Sequence, residues 1–198
     1  MFAKRMVLAC MSLVWLSAPG LAVAQTFLTS WGGYGSGDGE LRTPQGVAVG
    51  GSGDVYVSDG DNLRVQVFSP NGTYLRQWAL PPGEAGQDIL GGQNIAVDAN
   101  DNVYVGDGNK EKIHRYTSTG ALLAEWDSPG GISLAVDASG DVYVTDRVNN
   151  RVVVYNNFGV YLRQLGSSGS GPGELSGPDG VAIDAAGNVC GGLAQLPH

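Results

Sequence analysis

The same short phrase occurs three times in this 198-residue sequence, as Asp54-Val-Tyr-Val-Ser-Asp59, Asn102-Val-Tyr-Val-Gly-Asp107 and Asp141-Val-Tyr-Val-Thr-Asp146, at intervals of 48 and 39 residues. The two intervals also separate Gly-Val-Ala-Val at 46–49, Asn-Ile-Ala-Val at 94–97 and Ser-Leu-Ala-Val at 133–136. They relate Arg64 to Lys112 and Arg151, and Gly72 to Gly120 and Gly159. Trp78 and Trp126 follow the rule, with Leu165 in the third place, and a fourth copy opens at Gly180-Val-Ala-Ile183. A unit of this size cannot bury its apolar faces alone, so a repeat of it must stack on its neighbours.

Each unit holds four short runs of β-branched and aromatic residues. In the first unit these are strand a at Val47-Ala-Val49, strand b at Val55-Tyr-Val57, strand c at Val65-Gln-Val-Phe68 and strand d at Tyr74-Leu-Arg-Gln-Trp78. Asn71-Gly72 between c and d predicts a hairpin turn of type I′, in which both central residues take positive φ. No helical periodicity follows the first 25 residues. Four antiparallel strands in roughly 40–48 residues is the arithmetic of a β-propeller blade. Apolar residues at 42% suffice for a core, and 15% charged excludes a disordered or coiled-coil chain.

These residues resemble NHL repeats. The resemblance is carried by Pro44-x-Gly46-Val-Ala-Val, Gly53-Asp-Val-Tyr-Val-Ser-Asp59, Asn62-x-Arg64-Val-Gln-Val-Phe68 and Gly72-x-Tyr-Leu-x-x-Trp78. The third unit repeats it at Asp146-x-x-Asn149-x-Arg151-Val-Val-Val-Tyr155, while the second departs at Asp107-Gly-Asn-Lys-Glu-Lys112. The resemblance implies an all-β fold of NHL-type four-stranded antiparallel blades, commonly six in full-length relatives. Here the pattern supplies three full blades, at 46–78, 79–126 and 127–165, and part of a fourth at 166–189. An outer strand and loop at 25–45 precede them, with Phe27–Trp31 matching strand d, and an off-pattern tail at 190–198 follows. Where Tyr-Val-x-Asp is due after Val189, the chain reads Cys190-Gly-Gly-Leu. The expectation is an incomplete propeller, from a truncated, frame-shifted or incompletely recovered gene product, whose open blade edges invite self-association.

Residues 1–24 have the features of a signal peptide: Lys4 and Arg5, an apolar run from Met6 to Leu16, and Ala22-Val-Ala24 before the cleavage point. The expected location is secreted or periplasmic, with no membrane association after cleavage. Processing would leave 9 basic and 19 acidic residues and the single cysteine Cys190. A net charge of −10 argues against nucleic acid as a partner, and one cysteine cannot form an internal disulfide.

The most repeated polar feature is an acid closing strand b and a base five residues later: Asp59/Arg64, Asp107/Lys112 and Asp146/Arg151. Because every unit carries the pair, these residues are expected to staple the b–c loops rather than to hold a ligand. The b–c and d–a connections should emerge on one face, since loops on a rigid scaffold carry recognition. The candidate ligand-binding residues are Asp61, Asn62, Asn109, Lys110, Arg147 and Asn150, and the first and last d–a connections read as Gly/Ser-rich and featureless.

Neither a catalytic residue nor a metal or cofactor is predicted. His114 and His198 are too few for a zinc centre, and Asp98-x-Asn100-x-Asn102 lacks the glycine and glutamate of an EF-hand loop. The favoured reading is a secreted, non-catalytic scaffold for a protein or glycan. The alternative is the remnant of a secreted propeller lyase, similar to the peptidyl-amidoglycolate or streptogramin lyases, without its catalytic blades.

Overall fold

The computed structural model of the protein describes residues 29–81, 94–108, 110–129, 133–184 and 186–192. The expected signal peptide, Asn109 and His198 lie outside the described residues, as does most of the tail.

The first four-stranded sheet runs β3 (Pro44–Val49), β4 (Val55–Asp59), β5 (Arg64–Phe68) and β6 (Tyr74–Ala79), after a parallel pair of two-residue strands, β1 (Gly33–Tyr34) and β2 (Glu40–Leu41). The second contains β7 (Ile95–Val97), β8 (Val103–Asp107), β9 (Lys112–Tyr116) and β10 (Leu122–Asp127). The third contains β11 (Leu134–Val136), β12 (Val142–Asp146), β13 (Arg151–Tyr155) and β14 (Tyr161–Leu165). A two-stranded sheet of β15 (Gly180–Ile183) and β16 (Val189–Gly192) follows. Within the four-stranded sheets and the last pair, neighbouring strands are consecutive and antiparallel, as a blade requires.

Burial explains why the Val-Tyr-Val phrase is the least varied part of the repeat. The second strands β4, β8 and β12 are buried at every position, covered by the sheets on either side. Both of their faces must therefore be compatible with the interior, and polar alternation is lost. The outer strand β6 alternates between half-buried and exposed positions, as a strand with one wet face should. The innermost strands adjoin one another in order, β3 beside β7, β7 beside β11 and β11 beside β15.

Successive sheets are joined by a recurring tryptophan–glycine seat. Trp31, Trp78 and Trp126 lie against Gly72, Gly120 and Gly159 in the following c–d turns, and their rings meet Phe68, Tyr116 and Tyr155. Trp31 thus occupies the place expected of a strand-d tryptophan, although Thr29–Trp31 takes no regular strand form.

The c–d turn corrects one expectation. Among these turn residues only the glycine takes positive φ, +81° at Gly72, and its N–H donates to the Ser69 carbonyl at 2.8 Å. Asn71 lacks the positive φ that type I′ needs there, and with Pro70 and Asn71 central the hairpin is a type I turn closed by a left-handed glycine. The extra residue appears as a register shift between Val67 and Phe68.

Candidate functional site

Each b–c loop must reverse the chain in four residues, and each does so through a non-glycine residue with positive φ: Leu63 at +51°, Glu111 at +53° and Asn150 at +54°. Such geometry costs on the order of 1 kcal/mol at each position and persists only where surrounding bonds enforce it. The Leu63 carbonyl accepts from the Leu80 N–H, and the Glu111 carbonyl from the Ser128 N–H, both at 2.7 Å. The first two loops are therefore locked to the beginning of the next connection.

In the first sheet the buried Asp59 carboxylate gathers four donors: the Arg42 N–H at 2.6 Å, Asn62 Nδ2 at 2.8 Å, Arg64 Nε at 2.7 Å and Gln66 Nε2 at 3.2 Å. Arg64 spends its remaining donors on Gln77 Oε1 at 2.7 Å and on the carbonyls of Ser36, Gly37 and Glu40 at 2.9, 2.9 and 2.7 Å. Gln66 also donates to the Glu40 carbonyl and accepts from the Gly39 N–H. The preceding d–a connection is thus clamped over the b–c loop, which places both on one face as expected.

That connection is not featureless, contrary to the reading of its composition. Glu40 Oε2 accepts from the Gly37 N–H at 2.9 Å, and Glu174 Oε2 accepts from the Gly171 N–H at 2.8 Å in the last connection. A Cβ at 35 or 169 would overlap the glutamate Oε2, so the carboxylate would have to leave its bond to the backbone. The signal lay in the shared Gly-Ser-Gly-x-Gly-Glu-Leu, in which the glutamate organises what looks like low-complexity chain.

The third sheet keeps the staple, with Arg151 Nε 2.7 Å from Asp146 Oδ2, but Arg151 remains a third exposed and has one further side-chain partner, Gln164. The Asn149 side chain also bonds Asp146. Burial pushes the Asp146 carboxyl up, but Arg151 and Asn149 outweigh it and hold the group below the ordinary aspartate value.

The second sheet overturns the expected Asp107/Lys112 staple. Lys112 Nζ lies 2.9 Å from Glu125 and 3.1 Å from Asp127 on the outer strand, while Asp107 accepts from the Lys110 N–H. An ammonium lacks the planar fork with which Arg64 reaches several acceptors at once, and it turns to the carboxylates across β10. His114 replaces Gln66 here and is buried, with Nδ1 3.1 Å from Glu125 Oε2 but outside hydrogen-bond geometry. Burial lowers the His114 pKa, and Glu125 and Asp107 offset this only in part, with Lys110 and Lys112 opposing them.

The signs predict two acid limbs. Below the ordinary histidine pKa of about 6.5, the unfolded chain takes up a proton that His114 resists in the fold, so stability falls with pH. The Asp146 contribution is intact above the ordinary aspartate pKa of about 3.9 and is lost as pH drops through its depressed value. Denaturation midpoints between pH 3 and 8 should show both. His114→Gln should flatten the upper limb alone, and an unchanged upper limb would remove His114 as its cause.

The six candidate ligand residues divide. Asp61 is exposed and bonds Thr43 Oγ1 at 2.7 Å, and Arg147 is about half exposed, 3.3 Å from Asp179. Asn62 bonds Asp59 and the Gly35 carbonyl, and Asn150 ties the last connection through Ser168 and the Gly177 N–H, so both are loop braces. Lys110 is half-buried beside Asp107. The structure places Asp98-x-Asn100-x-Asn102 in an a–b turn: Asp98 Oδ1 accepts the Asn100 and Asn102 N–H groups at 2.9 Å, and Oδ2 accepts from the Asn102 and Tyr104 side chains. Asp137 and Asp184 repeat this arrangement. Among the described residues, no group of three or more His, Cys, Asp or Glu is arranged to hold a metal ion.

Sequence reasoning missed a substitution across strands. Arg76 on β6 lies over the Tyr56 ring and donates to the Ser118 carbonyl in the next c–d turn at 2.9 Å. In the second sheet the matching position is Ala124, and its register partner Arg115 on β9 supplies the guanidinium instead. Arg115 lies over Tyr104 and donates to the Asn157 carbonyl at 3.1 Å.

Comparison with known proteins agrees with this architecture. The NHL repeat family matches residues 41–68, and a family described as a 6-bladed beta-propeller matches residues 128–190. The E3 ubiquitin-protein ligase TRIM71 of Xenopus tropicalis is 49% identical over 45 residues, which is 23% of this chain and 6% of that protein. Hydrazine synthase of Kuenenia stuttgartiensis is similar in structure over 84% of this chain and 47% of its own, with a TM-score of 0.61 and 13% identity. A streptogramin B lyase is similar over 78% and 55%, with a TM-score of 0.55 and 14% identity. The chain spans about half the length of these solved structures, and at such identities the likeness concerns the fold alone. Matching repeats, blade topology and the seats between successive sheets agree: the chain carries an NHL repeat at 41–68 and is built of β-propeller blades, three of four strands and the first two strands of another.

Proposed function

We propose that the chain is exported and acts as a non-catalytic propeller scaffold that binds a protein or glycan on its loop face. The observation that supports this reading is the division of labour in the b–c loops. Asp59 and Asp146 are buried and fully engaged in bracing, while Asp61 and Arg147 stand exposed above them on loops already fixed in shape. A surface ordered before binding loses little conformational entropy on association. The test is a glycan array and a pull-down from the extracellular fraction, comparing the wild-type chain with an Asp61→Ala, Lys110→Ala, Arg147→Ala variant of equal thermal stability. Loss of the bound species in the variant supports the reading, and undiminished binding contradicts it.

The second sheet favours one other reading, the lyase remnant, because His114, Glu125 and Lys112 break the repeat there. That remnant lacks its catalytic blades, so the chain itself is expected to convert no streptogramin B, and conversion would contradict both readings.

A further inference from the structure

We propose that the seam between the second and third sheets, on the side of the c–d turns, is a binding site for a carboxylate joined to an apolar group. Arg115 supplies the cation and the Phe158 ring the apolar wall. The site lies at the strand ends opposite the b–c loops, so it stands apart from the scaffold reading of the loop face.

The first observation is a cation without an acid. In the first and third sheets the guanidinium over the strand-b tyrosine has a carboxylate beside it: Arg76 lies 3.1 Å from Asp54, and Arg163 lies 3.7 Å from Asp141. In the second sheet the matching repeat position is Asn102, whose side chain is spent on Asp98. Among the described residues, Arg115 makes one hydrogen bond, from Nη1 to the Asn157 carbonyl at 3.1 Å, and its Nε is buried without a partner. Asp98, behind the Tyr104 ring, is already engaged by Asn100, Asn102 and Tyr104. A half-buried cation with no counter-charge is costly, and a bound anion would remove that cost.

The second observation is an aromatic ring that the turn does not need. Phe158 stands where the other c–d turns carry Asn71 and Thr119, and it is 73% exposed. The turn itself is held by Asn156 Oδ1, which accepts the Phe158 and Val160 N–H groups, as the Ser69 and Thr117 hydroxyls accept the Thr73 and Ala121 N–H groups. The Arg115 guanidinium lies 5.7 Å from the Tyr104 ring centre and 6.0 Å from that of Phe158. Cationic and apolar contacts are therefore offered side by side. The guanidinium fork matches a carboxylate, and the open face of the phenyl ring matches an apolar group attached to it.

A small free carboxylate and a glutamate in a peptide share this chemistry, and the test separates them. The intact 198-residue protein is titrated with sodium benzoate, with the peptide acetyl-Phe-Glu-Phe-amide and with neutral benzamide, while backbone amide resonances are followed. The expected result is saturable binding of at least one carboxylate with a Kd of about 1 mM, with shifts confined to residues 102–104, 115 and 156–160. The tighter of the two identifies the source. Benzamide should bind about tenfold or more weakly, because it forfeits the charge-assisted bonds. Phe158→Thr, which restores the residue of the second turn at an exposed site, should weaken binding about threefold or more. Asn102→Asp supplies the acid found in the third sheet, where Asp137 and Asp141 share one turn, and should weaken binding about tenfold by pairing Arg115 internally. Absence of saturation by both carboxylates at about 20 mM, equal affinity for benzamide, shifts centred elsewhere, or undiminished binding by either variant would overturn the proposal.

Discussion

Asp59→Ala is expected to destabilise the protein by about 3–5 kcal/mol, the range for removing one partner of a buried, hydrogen-bonded ion pair. The aspartate is fully buried and Arg64 is 8% exposed, so water cannot replace the lost carboxylate without opening the loop above. Four donors converge on Asp59, and one of them, the Arg42 N–H, anchors the connection into β3. The same substitution at Asp146 removes an equivalent short bond, but Arg151 is partly exposed and can turn to solvent. Asp146→Ala should therefore cost distinctly less. Urea denaturation of the two variants checks the contrast: equal losses would mean that the clamped connection at 32–42 adds nothing to the first staple.

The second large effect is expected at the seat between the second and third sheets. Trp126 is 8% exposed and packs on Tyr104 of its own sheet and Tyr155 of the next, so Trp126→Ala should cost about 3–5 kcal/mol. Gly159 has φ of +81°, and a Cβ there would overlap Trp126 Cγ and lie 2.6 Å from its Cβ. Gly159→Ala therefore carries both backbone strain and overlap. Trp126→Ala removes the ring atoms but keeps the Cβ, 2.6 Å from a Cβ at 159, so part of the overlap is relieved and the double variant should fall short of additivity by about 0.5 kcal/mol or more. Additive losses would separate the glycine from the tryptophan and dissolve the seat as a unit.

The parts of the fold legible in the sequence are those that every blade must solve alike. Tyr56, Tyr104 and Tyr143 sit on strands buried on both sides, so few side chains are admissible and the phrase around them recurs almost unchanged. The staples at Asp59 and Asp146 were readable for the same reason, since a buried acid requires a cation at a fixed distance along the hairpin. What stayed hidden depends on neighbours that are distant in sequence. The arginine over the strand-b tyrosine moves from β6 to β9 between the first two sheets, and alignment of positions sees Val67, Arg115 and Val154 as unrelated. The exchange is neutral because paired positions on adjacent strands can deliver one guanidinium to one place. The departure at Lys112 was visible, but its new partners Glu125 and Asp127 become neighbours only through pairing of β9 with β10. The connection at 32–41 hid its order because glycine-rich composition suggests slack chain, whereas Glu40 there fixes the backbone through bonds to it.

Whether the strands of successive sheets truly occupy matching places is tested most directly by interstrand nuclear Overhauser contacts in solution. Contacts linking Tyr56 with Val67, Tyr104 with Arg115 and Tyr143 with Val154, all in one register, are the predicted result. A different register in any of the three sheets, or sequential contacts of helical type through these segments, would contradict it.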